Sequence, residues 1–502
     1  MGDYLDELPT SWIVSSLGEI CSQPQYGYTT SSASKGNLRL LRTTDITSGD
    51  IDWESVPFCS ENPIEETKYL LEDGDVVISR AGSVGVSYLL NKPLRSVFAS
   101  YLIRFKPLLN RWYFKYFLES PFYWREIADN KLGIAVPNVN ASKLKEIAIP
   151  ISPGNEQHRI VAKIEELFSE LDKGIENLKT AQTQLKIYRQ ALLKHAFKGK
   201  LTAQWRADHP DKLETADALL KRIQQERTQR YQQQLADWEA AGKQGGKPKA
   251  PKIFPSLTAD EFAVLPELPD GWCWVRVGDV GSVGTGVTPL KGRPDFYANG
   301  NIPWITSGAL NDNFVTEPSD YVTQVALKKT NLRMYPRHTL LVALYGEGKT
   351  RGKCSELLIE ATTNQAIAAI VQEGLSEKIR KYLKWFFQKN YEDIRLKSSG
   401  GVQPNLNLSV IENTLFPMCS ITEVDGIVDA IEAKWSEADQ LDQTLTTALQ
   451  QAEALRQSIL KKAFSGQLVP QDPNDEPAAV LLDRIRAARA ASAKPITRKP
   501  RR

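Results

Sequence analysis

Cysteine and histidine are scarce, with five Cys and four His in 502 residues. Cys21, Cys59, Cys273, Cys354 and Cys419 lie far apart, which leaves no CxxC pair for metal or redox chemistry and no dense disulfide pattern. A reducing cytoplasm is the compartment this usage fits. His158, His195, His209 and His338 fall in no HExxH or comparable ligand spacing, so no zinc or histidine-based active site is expected. No run approaches the roughly 18 to 20 apolar residues of a membrane span. The start MGDYLDELPTSW lacks a basic region followed by an apolar stretch, so neither membrane insertion nor secretion is expected. The net charge of +3 is too small to declare a nucleic-acid partner, which shows itself by clustering rather than by totals. Hydrophobic residues at 41% and charged residues at 25% are ordinary for a globular protein, and the length predicts about three domains or fewer.

What the chain does have is an internal repeat. LPTSW at Leu8 to Trp12 returns as LPDGW at Leu268 to Trp272. A longer match runs without a gap from Gly133–Gln204 to Gly400–Gln471, with about 27 of 72 positions identical where chance gives roughly four. In its opening loop Pro137, Asn138, Asn140 and Ser142 match Pro404, Asn405, Asn407 and Ser409. Asn and Ser at such places predict helix N-caps, with phosphate contact as the alternative. The two matches end in KHAFKGKL and KKAFSGQL.

Between loop and end, Ile164, Leu171, Leu178, Leu185 and Leu192 recur every seven residues, with Ile160, Leu167, Ala181 and Tyr188 at the complementary spacing. The second copy carries Ile431, Ala438, Leu445, Ala452 and Ile459, with Ile427, Leu441, Ala448 and Leu455 alongside. This is a heptad seam on a helix of about 65 Å, closed by Gly199 or Gly466 as C-cap. Such a seam fits pairing with a second chain as well, but the small alanine-bearing face set against a leucine-rich one favours pairing within the chain.

The segments before each helix have another texture: short apolar runs such as DVVISR at Asp75 and TLLVALY at Thr339, broken by Gly, Asn, Ser and Thr. They predict globular α+β heads of similar length and diverged sequence. The expected order is a first head over 1–150, a long helix over 151–204, and a helical segment with a flexible basic linker over 205–258. A second head follows over 259–417, a second long helix over 418–471, and a short helix with a basic tail ending in Lys499, Arg501 and Arg502 over 472–502. One formal enzyme motif, Ala343 to Thr350, fits a relaxed phosphate loop, yet no amphipathic helix follows Lys349, and the first copy, SRAGSVGVSYLL, keeps Gly82 and Gly85 without a lysine. Both predict strand, glycine turn, strand. GSVGTGVTP from Gly281 is equally weak as a dinucleotide element. No amino-methyltransferase tetrapeptide and no nuclease carboxylate cluster is present, so the chain reads as non-catalytic, without metal or cofactor of its own.

The order of variable head then repeated long helix, with the words LPTSW and LPDGW, EQHRIVAKIEELFSELD, RQALLKHAFKGKLTAQWR and RQSILKKAFSGQLVPQ, resembles the specificity subunit of a type I restriction-modification system over essentially the whole chain. The second copy departs in having Glu423-Val424 for the Glu-Gln pair, and the central linker is lengthened by KQGGKPKAPK. The resemblance implies an α+β chain with internal pseudo-two-fold symmetry: two α/β target-recognition domains separated by two long helices that pair as an antiparallel coiled coil. It implies that each head reads one half of a bipartite, asymmetric double-stranded DNA site and that the helix pair sets the spacing. Two adenine-methyltransferase subunits carrying S-adenosylmethionine would dock on it, and up to two motor-nuclease subunits using ATP and Mg would join in phage defence. A methyltransferase-only or type II-like complex, or a coiled-coil adaptor without DNA specificity, are the alternatives. Base edges demand Arg, Lys, Asn, Gln and Thr near the glycine turns and after the first strand of each head. In the first head these are Tyr26, Tyr28, Thr29, Thr30, Lys35, Arg42, Thr43, Thr44, Arg80 and Ser83; in the second, Thr285, Thr288, Lys291, Arg293, Ser307, Tyr345, Lys349, Arg351 and Lys353.

Overall fold

The computed structural model describes residues 8–47, 49–131, 138–212, 214–243, 247–345, 350–372, 375–391 and 406–492. The chain forms two compact units, one from residues up to 180 together with those from 444 on, the other from 181–443. Each unit therefore holds one head and one stretch of either long helix. In each head the entry strand zips to the exit strand: Ile13–Ser16 pairs antiparallel with Ala148–Ile151, and Cys273–Arg276 with Leu415–Met418. The long helices, Gly154–Ala196 and Ile421–Phe464, begin directly behind the exit strands, so each leaves its head from a fixed point.

Diverged sequence has kept one head architecture. In the first head a four-stranded sheet orders Gln25–Tyr26, Leu102–Phe105, Val76–Ser79 and Ser87–Leu89. A second sheet orders Ser32–Ala33, Phe58–Cys59, Arg39–Leu41 and Ser96–Phe98, the last two parallel. The second head repeats this with Ser282–Thr285, Ile367–Val371, Leu340–Ala343, Cys354–Leu357 and Phe314–Val315, and a smaller sheet in which Ile302–Ile305 and Thr362–Thr363 run parallel. The expected glycine turns are present. Val76–Ser79 returns as Ser87–Leu89 around Gly82 and Gly85, both at positive φ, and Leu340–Ala343 returns as Cys354–Leu357. A strand rather than a helix thus follows the formal phosphate-loop motif; its residues 346–349 lie outside the described ones.

The two long helices run antiparallel within each unit. Arg456 pairs with Asp172 in the first, and Arg189 with Asp439 at 2.5 Å in the second. Ile164, Leu185, Leu192, Ile431, Ala438, Leu445, Ala452 and Ile459 are buried, as the seam predicts, while its Leu171 and Leu178 are half-buried. The complementary row behaves differently: Ile160 and Ile427 are buried beside the heads, but Tyr188, Leu441 and Leu455 are 42%, 49% and 52% exposed. Two helices alone enclose a single ridge, so away from the heads the second row lies on the flank.

The repeated words meet in space, and each meets the far end of the other copy. In the first unit the Trp12 indole N–H donates to Glu156 at 2.9 Å, and Gly466, at φ +73°, packs under Pro9, leaving only 2.4 Å for a Cβ. In the second unit Trp272 donates to Glu423 at 2.9 Å, and Gly199, at φ +67°, packs under Pro269. The helix ends contribute Phe464, edge-on to Tyr113 and Phe117, and Phe197 against Tyr382 and Phe386. The glutamate of the Glu-Gln pair is therefore shared by both copies; Gln157 alone is replaced, by the buried Val424.

The amphipathic segment after each long helix closes the junction. Ala478 N–H donates to Ser11 O and Ala216 N–H to Gly271 O. Further along, Arg489 donates to the carbonyls of Gly18 and Glu19, and Arg227 to those of Gly278, Asp279 and Gly281. These carbonyls lie in, or for Gly281 just after, the short helices Leu17–Ile20 and Val277–Val280, whose C-terminal groups lack helical partners. Residues 247–257 carry no regular structure but make contacts of their own. Lys252 pairs with Glu412 at 2.7 Å, Phe254 lies against Gly278, and Pro255 O accepts from Arg276 at 2.6 Å.

Candidate nucleic-acid interface

In both heads one short crossing segment ties the two sheets together, and the candidate residues gather around it. In the first head it is Ala99–Leu102. Ala99 N–H donates to Leu41 O, Tyr28 N–H to Phe98 O, and Arg80 N–H to Tyr101 O. In the second head Asn364 N–H donates to Ile305 O, Val287 N–H to Thr363 O, and Leu344 N–H to Ala366 O. The crossing demands glycine beside it. A Cβ on Gly27 would lie 2.1 Å from Ala99 O, and one on Gly286 would lie 1.6 Å from Thr363 O. This explains Gly286 of GSVGTGVTP without any nucleotide.

Around the first crossing the structure brings together Tyr26, Tyr28, Arg42, Thr43, Thr44, Arg80 and Ser83. The Arg80 guanidinium lies 5.1 Å from the Tyr26 ring centroid, and its Nε donates to Asn138 Oδ1 at 3.4 Å. The Tyr26 hydroxyl accepts from Ala141 N–H at 2.9 Å. Tyr28 packs on Tyr69, with ring centroids 5.4 Å apart. Arg42 commits its fork to Asp45 at 2.7 Å, and its backbone N–H donates to the same carboxylate at 2.8 Å at the start of the helix Thr43–Ile46. Thr44 and Ser83 are exposed, while the Thr43 hydroxyl is buried without a hydrogen-bond partner. Thr29 and Lys35 are exposed, and Thr30 shares a hydrogen bond with Ser60 at 3.0 Å.

Around the second crossing stand Thr285, Thr288, Ser307 and Tyr345. Thr285 Oγ1 donates to Ile367 O at 2.8 Å. Lys353 and Thr350 both reach Asn311 Oδ1, at 3.0 and 3.2 Å, and Arg351 is half-buried next to them. Arg293 pairs with Asp295 at 2.7 Å and covers Phe296, while Lys291 is exposed. Lys349 lies outside the described residues.

Sequence reasoning missed Asn311, Tyr101 and the site role of Asn138. Asn138 is visible in the repeat as a capping candidate, with phosphate contact as the alternative. The caps are in fact Asn140, which accepts from Lys143 N–H at 2.9 Å, and Asn407, which accepts from Val410 N–H at 2.9 Å. They start the short helices Ala141–Glu146 and Leu408–Glu412 rather than the long ones. Pro137, Pro404 and Asn405 lie outside the described residues.

Charge in the second head is organised under the sheet. Buried Glu356 accepts from His338 Nδ1 at 2.9 Å and from Arg380 Nε at 3.0 Å, with Lys384 Nζ at 3.6 Å. Burial raises its carboxyl, but these partners outweigh burial and hold it below the usual carboxylate range. At the first junction burial wins, and the Glu156 carboxyl is pushed up despite the Trp12 and Gln471 donors. Among the described residues no cluster of His, Cys, Asp and Glu could hold a metal ion, and no helix is long and apolar enough to cross a membrane.

Comparison with known proteins gives the same picture. Residues 9–180 and 269–450 each match the family described as the type I restriction modification DNA specificity domain. The specificity subunits of the type I restriction enzymes EcoDI, from Escherichia coli, and EcoKI, from Escherichia coli strain K12, are each 23% identical, with 97% of both chains covered. Among solved structures, one from work on complex assembly and conformational transition of the type I R-M system aligns with a TM-score of 0.62 at 16% identity, over 92% of this chain and 99% of that one. The HsdS subunit from Thermoanaerobacter tengcongensis aligns with a TM-score of 0.50 at 16% identity, over 92% and 98%. With both family matches opening at the LPxxW word and running into a long helix, the chain belongs to the type I restriction-modification specificity subunits, proteins of DNA sequence recognition.

Proposed function

We propose that each head reads one half of a bipartite, asymmetric site on double-stranded DNA, and that the chain itself catalyses nothing. The observation that carries this reading is the shared crossing, which sets different side chains at equivalent positions of one backbone frame: Tyr26 and Arg80 in the first head, Thr285 and the buried Leu344 in the second. A common frame with private side chains is what two readers of different half-sites need. The antiparallel helices act as the spacer between the half-sites. Two methyltransferase subunits carrying S-adenosylmethionine dock on this scaffold and methylate an adenine in each half-site, and up to two motor-nuclease subunits using ATP and Mg join them. Exposed apolar side chains support docking on the helices: Ile187, Tyr188 and Leu441 in one unit and Leu455 in the other.

Mapping modified adenines in DNA treated with the complex of this chain and its methyltransferase subunits tests the reading. A two-part motif with a fixed gap is expected. Methyl transfer by the purified chain alone, or methylation without sequence preference by the complex, would contradict it.

A further inference from the structure

We propose that Arg80, held beside Tyr26, reads a guanine in the half-site of the first head. The inference rests on the reading that this head contacts DNA bases. Arg80 sits at the mouth of the glycine turn, followed by Gly82 at φ +73° with open space around it, so a duplex edge can approach the backbone closely. Three contacts hold the residue. Its backbone N–H donates to Tyr101 O at 2.9 Å, its guanidinium carbon lies 5.1 Å from the centre of the Tyr26 ring, and its Nε donates to Asn138 Oδ1 at 3.4 Å. Tyr26 is itself held by Ala141 N–H on its hydroxyl, and Val139 N–H donates to Arg80 O at 3.1 Å, so shelf and arginine belong to one braced loop.

Among the described residues the two terminal nitrogens of Arg80 have no protein partner. A guanidinium tethered at its Nε beside an aromatic ring, with its outer fork open, matches the O6 and N7 acceptors of guanine in the major groove, the commonest bidentate base contact. A phosphate would also accept this fork. A phosphate-holding cation, however, serves any sequence and gives no reason for one head to keep it and the other to drop it. The pair is private to the first head: Leu344, 2% exposed, takes the place of Arg80, and Thr285, bonded to its own sheet, takes that of Tyr26.

The test uses the full chain in complex with its methyltransferase subunits and maps methylated motifs over a randomised duplex library at two salt concentrations. Wild type should require guanine at a position P of one half-site. Arg80→Gln should move the requirement at P to adenine, whose N6 and N7 suit the glutamine amide, and leave the other half-site unchanged. Arg80→Ala should make P degenerate and lower methylation of the original site about 10- to 100-fold. Tyr26→Leu should weaken the preference at P alone. Retention of every base preference in both arginine variants would overturn the proposal. So would a loss equal at all sequences with a salt slope reduced by about one, which is the signature of a phosphate contact. Unfolding midpoints equal to wild type separate these outcomes from misfolding. Absence of any two-part motif with the wild-type chain would instead overturn the functional reading beneath the proposal.

Discussion

At the scale of single residues, the two heads stand on a few atoms that recur in both. Trp12 and Trp272 each satisfy a buried glutamate at the start of a long helix. Trp12→Phe removes the donor and part of the buried ring, so the first unit should lose at least the roughly 1–3 kcal/mol typical of an under-satisfied buried acceptor, while the second unit is unchanged. Domain-resolved hydrogen exchange would show whether the loss is confined to the first unit. Gly286→Ala places a methyl on the Thr363 carbonyl and should cost at least the 1–3 kcal/mol typical of overpacking, measured as a lower urea midpoint. Glu356 adds a pH dependence. Its folded pKa is lowered, so its contribution is present above the unfolded value of about 4.3 and is lost as pH falls through the folded one. Glu356→Gln strands Arg380 and Lys384 and should cost about 3 kcal/mol at neutral pH. The difference from wild type should shrink in acid unfolding below about pH 4. A constant difference down to pH 2 would show that the ionised carboxylate is not the source of the stabilisation.

At the scale of elements, what the sequence revealed and what it hid have different physical causes. The long helices were legible because a heptad repeat over more than forty residues states its period many times. The heads were legible only as a texture, since most of their strands are two to four residues long and too short to show a period. The junction was hidden for another reason: LPTSW meets KKAFSGQL, and LPDGW meets KHAFKGKL, so each word's partner is the far end of the other copy. The arginine clasp went unread because Arg227 and Arg489 look like surface residues of amphipathic segments. At the site, Arg80 and Tyr26 were found through the glycine turn and the loop after the first strand, while the Lys353–Asn311 contact, spanning 42 positions, left no local trace. For the helices the account makes a register prediction. A heptad inserted after Leu178 together with one after Leu445 keeps the seam aligned and lengthens the pair by about 10 Å. The methylated motif should keep both halves with a gap longer by roughly three base pairs at 3.4 Å each. A heptad in one helix alone should abolish methylation, because it leaves the antiparallel partner seven residues short.

At the scale of the whole molecule, the proposed function makes the chain a double reader, in which one backbone frame carries different side chains in the two heads. The constant parts are the junction words, the helix pair and the crossing segments; the variable parts are the side chains at the glycine turns and beside the crossings. That division makes the heads exchangeable, because each is closed at its base by its own entry and exit strands and leaves the scaffold between Trp12 and Ile151 or between Trp272 and Met418. The most direct test replaces residues 13–151 with the corresponding head of another specificity subunit and maps modified adenines in DNA methylated by the hybrid and the wild-type complexes. The account predicts that one half of the motif changes to that of the donor while the other half and the gap stay as they were; a change in both halves, or in neither, would contradict it.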